Sequence, residues 1–197
     1  MNILIDLLPE EVTIDGVDYK INSDFRTSML FEMMMQDSEI DESDRLIKTI
    51  ELYYHIIPEN IEQAIEKALW FYRCGKNIQN GNGSSNGKSE QIYSFEYDDD
   101  YIYSAFLNQY GLDLQDAENL HWWKFKAMFK SLKEDNEIVK IMGYRAMTIS
   151  NDMSKEQKDF YRSMKRLHEI PKSKSEQEKI NDIEKALLGD GDLTKVL

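Results

Sequence analysis

The sequence predicts a mainly α-helical fold: helical bundle lobes preceded by a short N-terminal β-hairpin. Three observations carry that prediction. Asp15-Gly16 lies between two short runs of β-branched and aromatic residues. Apolar residues at three- and four-residue spacing recur from Phe25 onward. Capping patterns and helix breakers, among them Pro58, Gly111 and Pro171, fall between those stripes.

The hairpin covers Val12 to Ile21. Asp-Gly suits a two-residue type I′ turn, and Val12, Ile14, Val17, Tyr19 and Ile21 supply one apolar face. A lone hairpin is marginal, so it must pack on a neighbour. After Asp24 the period changes. Phe25, Met29, Leu30, Met33 and Met34 form one helical stripe, and Leu46, Ile50, Tyr53, Tyr54 and Ile57 a second. Ile61, Ala64, Ile65, Ala68, Leu69 and Tyr72 form the cleanest, opened by an Asn60/Gln63 cap. These elements make a first lobe, residues 1–74.

Residues 75–91 change in character. Gly81-Asn82-Gly83-Ser84-Ser85-Asn86-Gly87 has nothing to bury and reads as a linker. A second helical lobe, 92–188, follows. Its first helix carries Tyr101, Ile102, Ala105, Phe106, Leu107 and Tyr110 and stops at Gly111. A second is expected from Gln115 to Lys133 and a third over Asp135–Met147. Capping boxes Ser154/Gln157 and Ser173/Glu176 open a fourth and a fifth. Residues 189–197 are expected to fray.

Composition narrows the function classes. The 197 residues carry 24 Lys+Arg against 37 Asp+Glu, a formal charge of −13. Residues 1–90 hold 8 basic and 17 acidic side chains, so the first lobe is the more acidic. Nucleic-acid binding scales with Lys/Arg–phosphate contacts, and an anionic membrane imposes the same demand. Neither partner is expected. Apolar residues make up 41% of the chain, enough for a core. Cys74 is the single cysteine, which fits a reducing compartment. The first six residues have no basic region and no long apolar run, and are not read as a signal peptide.

Chemistry-bearing patterns are weak. Asp98-Asp99-Asp100 has no His or Cys beside it and reads as a helix cap plus two acids in the first turn. Gly189-Asp190-Gly191-Asp192 lacks the spacing of a calcium loop. His55, His121 and His168 show no metal-ligand spacing, and His121 is placed to hydrogen-bond at a helix start. Cys74 closes a helix, the end that does not activate a thiol. No nucleophile–base–orienter set, phosphate loop or dinucleotide fingerprint is present. No enzyme activity, metal or cofactor is expected.

Two apolar clusters are candidate binding surfaces. Met29 to Met35, with Met33 and Met34 at its centre, reads either as helix core or as an adaptable binding face. On the helix after His121, Trp122, Phe125, Phe129 and Leu132 share a face while Trp123 points elsewhere. One face suits the chain's own core. The other requires a second layer or a partner. The candidate partner-binding residues are therefore Trp122, Trp123, Phe125, Phe129, Met33 and Met34.

Three blocks, Ile92 to Phe106, Leu120 to Phe125 and Ile141 to Arg145, together resemble a small family from siphophages of Gram-positive hosts. Its genes lie beside the tape-measure gene. The hairpin start and Ser154–Pro171 look similar too, so the resemblance covers most of the chain outside the Gly/Asn/Ser linker. It implies a tail assembly chaperone or related tail-morphogenesis protein. Such a protein coats the apolar tape-measure protein, helps recruit tail-tube subunits, acts in the host cytoplasm and is absent from the finished particle. It brings no catalytic residues. A homo-oligomer is a further partner class. The alternative is a structural tail or connector component retained in the virion.

Overall fold

The computed structural model describes residues 1–76 and 91–171. The expected Gly81–Gly87 linker, the helix from Ser173 and the tail from Gly189 lie outside the described residues.

β1 (Glu11–Ile14) and β2 (Val17–Lys20) pair antiparallel, with Val12 opposite Tyr19 and Ile14 opposite Val17. Asp15 and Gly16 have φ of 49° and 79°, the left-handed pair that a type I′ turn needs. Val12 and Ile14 are buried against the third helix, but Val17 is exposed. The expected apolar face therefore stops one pair short. Asp15 is tied to that helix through Gln63 and Asn60, and Val17 lies on the free side of the turn.

Three helices follow: α1 (Phe25–Gln36), α2 (Glu42–Tyr53) and α3 (Ile61–Tyr72). Asp24, Asp41 and Asn60 cap them, each accepting a backbone amide two or three residues on. α2 buries Ile50 and Tyr53 as expected, whereas the buried stripes of α1 and α3 are rotated from the sequence expectation. α1 buries Phe25, Ser28, Phe31, Glu32 and Met34 and leaves Leu30 exposed. α3 buries Ala64, Ala68 and Phe71 and leaves Ile61 exposed. Leu46 and Ile57 are exposed as well. Small alanines let the α3 backbone approach β1 and α2, so the closest contact falls on the Ala edge of the stripe.

The second lobe contains α4 (Asp99–Tyr110), α5 (Trp122–Lys130), α6 (Glu137–Ala146) and α7 (Lys155–Leu167). Gly111 ends α4 at φ 62°. The helix expected from Gln115 begins only at Trp122. The carbonyls of Leu114 and Ala117 are taken by the Arg26 guanidinium at 2.7 and 3.1 Å, and that of Leu120 by the Phe25 amide at 2.9 Å. With those carbonyls turned toward the start of α1, the segment follows a non-helical course up to His121. The same segment bridges Asp24 to His121 and so binds the second lobe to the start of α1.

One apolar cluster runs through both lobes, from Val12 and Ile14 past Phe31, Tyr53 and Phe71 to Phe106, Trp122, Phe125 and Ile138. Phe125 is its pivot. Its ring stacks on Phe106 of α4 at 4.8 Å and on Phe25 of α1 at 5.1 Å.

A buried ion pair closes the far side. Arg145 of α6 donates to both Asp98 oxygens at 2.6 and 2.9 Å, and to the carbonyls of Ile92 and His168. Asp98 also accepts the Ser94 amide at 2.8 Å. The expected cap role of Asp98 is corrected here. It occupies the N-cap position of α4 but its side chain makes no cap bond, because Arg145 and Ser94 take the carboxylate inward. Asp99 and Asp100 do stand exposed in the first helical turn, as expected.

Candidate binding groove

α5 is short, nine residues, and His121 starts it. The ring Nδ1 accepts the Trp123 amide at 3.1 Å, and Nε2 faces the Pro9 carbonyl at 3.1 Å. Those partners set a neutral tautomer with the proton on Nε2. Burial holds the His121 pKa below its ordinary value of 6.5.

The two tryptophans that follow point to different neighbours but do one job. Trp122 Nε1 donates to the Tyr72 carbonyl at 2.9 Å, and Trp123 Nε1 to the Phe71 carbonyl at 2.8 Å. Both carbonyls belong to the last turn of α3; that of Phe71 also accepts the Cys74 amide at 2.9 Å, while that of Tyr72 has no helical amide left to pair with it. Trp123 also packs on Trp70 and Phe71, and a Cβ on Gly75 would lie 2.8 Å from its ring. Gly75 has φ 69°, so the chain leaves α3 through a position that suits glycine twice over.

The candidate binding residues are therefore divided. Trp122, Trp123 and Phe125 are 1%, 4% and 0% exposed and belong to the core. Of the two alternatives for the second face of α5, a second layer or a partner, the structure gives the second layer: α3 covers Trp123. Trp122 and Phe125 do form the floor of a groove of about 290 Å³. Half-buried Phe129, Leu132, Val139 and Met142 form its walls, with Tyr93 and Phe95 closing one side. Lys126 and Lys130, one turn apart on α5, line it as well, and its lining contains no Asp or Glu.

Met33 and Met34 are not brought to this groove. Met34 is buried and Met33 half-buried, and both line a separate concavity of about 480 Å³ shared with Leu30, Tyr97, Ile170 and Pro171. Its lining includes Asp37, Glu39 and Glu96 and no Lys or Arg.

A polar cluster that the sequence reading missed backs the α5 groove. Glu32 is buried, and the Tyr72 hydroxyl donates to it. Tyr93 faces the same carboxylate, and burial and that charge push both phenols above their ordinary pKa. Lys126 lies 4.4 Å from the Tyr72 ring centroid and 4.9 Å from that of Trp122. Burial lowers its pKa and Lys130 and Lys76 add to this, while Cys74 and Glu32 oppose it. The only sequence signal for the cluster is a lone acid within a methionine-rich stripe. Burial raises the Cys74 thiol pKa despite the nearby lysines.

Among the described residues no group of three His, Cys, Asp or Glu side chains is placed to hold a metal. No described helix is long and apolar enough to cross a membrane. The geometry is that of an apolar, lysine-lined protein groove.

No curated protein and no solved structure matches the chain. Residues 4–170 match the family described as Bacteriophage Gp15 protein, a span that takes in every described helix and both strands; the chain belongs to this bacteriophage protein family.

Proposed function

We propose that this chain is a tail assembly chaperone of a siphophage of Gram-positive hosts, which holds apolar helices of the tape-measure protein and helps recruit tail-tube subunits in the host cytoplasm. Membership of a bacteriophage protein family supports a morphogenesis role. The observation that carries the finer reading is where the three resembling blocks meet. Tyr93 and Phe95 of the first, Trp122 and Phe125 of the second and Met142 of the third all line the α5 groove. A groove with aromatic floor and aliphatic walls accepts one face of an amphipathic helix. The net charge of −13 keeps such a complex soluble. Its work is binding, without catalysis or cofactor.

Co-expression tests this directly. The tape-measure protein of the same phage should stay soluble and co-purify with this chain, and a Met142→Glu chain that still folds should lose it. No rescue of solubility and no co-purification would remove the reading. Mass spectrometry of finished particles tests the chaperone role separately. Stoichiometric presence would mark a structural component instead.

A further inference from the structure

The most exposed aliphatic side chains described lie in one short segment. Leu4 is 90% exposed, Ile5 80% and Leu7 92%, with Ile3 also exposed. The segment is ordered by its own bonds. The amides of Ile5 and Asp6 donate to the Asn2 carbonyl at 3.0 and 2.8 Å. The Leu4 amide donates to Asn2 Oδ1 at 3.0 Å and the Asn2 amide to Asp6 Oδ2 at 2.6 Å. These bonds close a turn that satisfies its polar groups locally and leaves its apolar side chains in water. Attachment to the body is seen at Leu8, which packs on the core, and at Pro9 beside His121. An apolar knob of this kind marks a contact surface.

Charge selects what it can contact. The knob carries Asp6 and has Glu10 and Glu11 behind it, and apart from the Met1 amino group no cation precedes Lys20. The methionine concavity, with Asp37, Glu39 and Glu96, offers Asp6 no cation. A concavity between α1 and α4 presents Asp99 and Asp100 beside Arg26, whose guanidinium is already bonded to Asp24 and to backbone carbonyls. One between α1 and α2 balances Lys48 with Glu51. Of these four, only the α5 groove is both apolar and lined by cations alone, Lys126 and Lys130. Neither lysine has an ion-pair partner among the described residues.

We propose that the knob of residues 3–7 in one copy seats in the α5 groove of a second copy, with Asp6 facing Lys130, so that the chain associates head to tail. Aliphatic side chains fill the space between Phe129, Leu132, Val139 and Met142, and the carboxylate meets the lysine at the edge. Knob and groove are different surfaces, so each copy keeps one of each free, and association continues into rings or open chains. The proposal rests on the reading above in requiring the groove to accept a protein segment. It names a different occupant, with which a tape-measure helix would compete.

Analytical ultracentrifugation of the full chain over a wide concentration range tests it. The average mass should rise with concentration, and less steeply at high salt, where the charge pair is screened. The exposed-site variant Leu4→Asp/Ile5→Asp should remain monomeric. Lys130→Glu, also at an exposed site, should weaken association by at least about tenfold through like-charge contact with Asp6. Mixing the knob variant with Met142→Glu, each checked for native circular dichroism, should give a one-to-one dimer that grows no further. A wild-type chain monomeric throughout, whose knob docks on itself or not at all, would overturn the proposal. So would association unchanged by the knob variant or by Lys130→Glu, or a mixture that fails to pair. The knob variant keeps its groove and should still hold the tape-measure protein. Loss of self-association and failure of the chaperone reading are thus separate results.

Discussion

α5 and α7 are opposite cases of helix making. α7 has the stronger local code. Ser154 and Gln157 form a reciprocal capping box, basic residues fill its last turn, and it is the most sharply amphipathic helix described. Yet it buries no residue, and Phe160 and Leu167 remain exposed. α5 is shorter, has no acid in its first turn, and is capped by a histidine. It buries Trp122, Trp123 and Phe125 and touches the end of α3, the start of α1 and the middle of α4. Local signals decide whether a segment becomes a helix; neighbours decide what the helix is worth. Helical stability in folded proteins comes mainly from tertiary packing.

That contrast can be broken from either end. Trp122→Ala should be the most damaging change, about 4–5 kcal/mol in urea unfolding. It opens a cavity beneath the groove and leaves the Tyr72 carbonyl with only the long Cys74 thiol contact. A loss under about 1 kcal/mol would show that α5 is not the pivot described. Arg145→Ala should cost about 3–4 kcal/mol, because Asp98 would stay buried without its cation. It should also release the end of α7, whose His168 carbonyl Arg145 holds, and amide exchange in α7 should then rise most.

His121 gives the comparison a pH axis. Its folded-state pKa is lowered by burial, so the folded chain disfavours the imidazolium. The unfolded chain binds the proton first as pH falls through about 6.5, and stability present above that value is lost toward the folded pKa. Protonation also removes the Nδ1 acceptor that caps α5. Wild type should therefore lose more stability between pH 7.5 and 5.5 than His121→Asn, which keeps a capping oxygen without the titration. Equal slopes would exclude His121 as the cause.

The smallest effects belong to α7. Ser154→Ala should cost about 1 kcal/mol or less through the lost cap, read as local fraying by amide exchange. Phe160→Ser, on an exposed face in contact with Tyr144, should change the unfolding free energy by no more than about 0.5 kcal/mol. A larger cost would mean that α7 is integrated as tightly as α5.

The local features were legible in the sequence because their causes are local. The Asp15-Gly16 turn, the Asn60 cap, the Gly111 stop and the Ser154/Gln157 box each depend on a few consecutive residues, and each forms as its pattern predicts. The groove was half legible. An aromatic helix too apolar for one interface announced a second contact, and Trp122, Phe125 and Phe129 do line a groove. Which neighbour would cover Trp123 was not readable, since periodicity ranks faces but does not name what lies opposite. The last turn of α3 covers it, and the Phe71 carbonyl accepts its indole N–H.

From the sequence alone came the mainly helical class, the hairpin, the existence of each helix among the described residues except the true start of α5, and the acidic balance. Turn geometry, capping and charge act over a few residues or over none. Tertiary structure decided the rest. It turned Asp98 from an expected cap into half of a buried ion pair, moved the inner edge of α3 to its alanines, and separated Met33 and Met34 from the tryptophans. Each depends on a contact between residues far apart in the chain, and such contacts are selected by the packing of whole faces and by the cost of leaving a buried polar group unpaired.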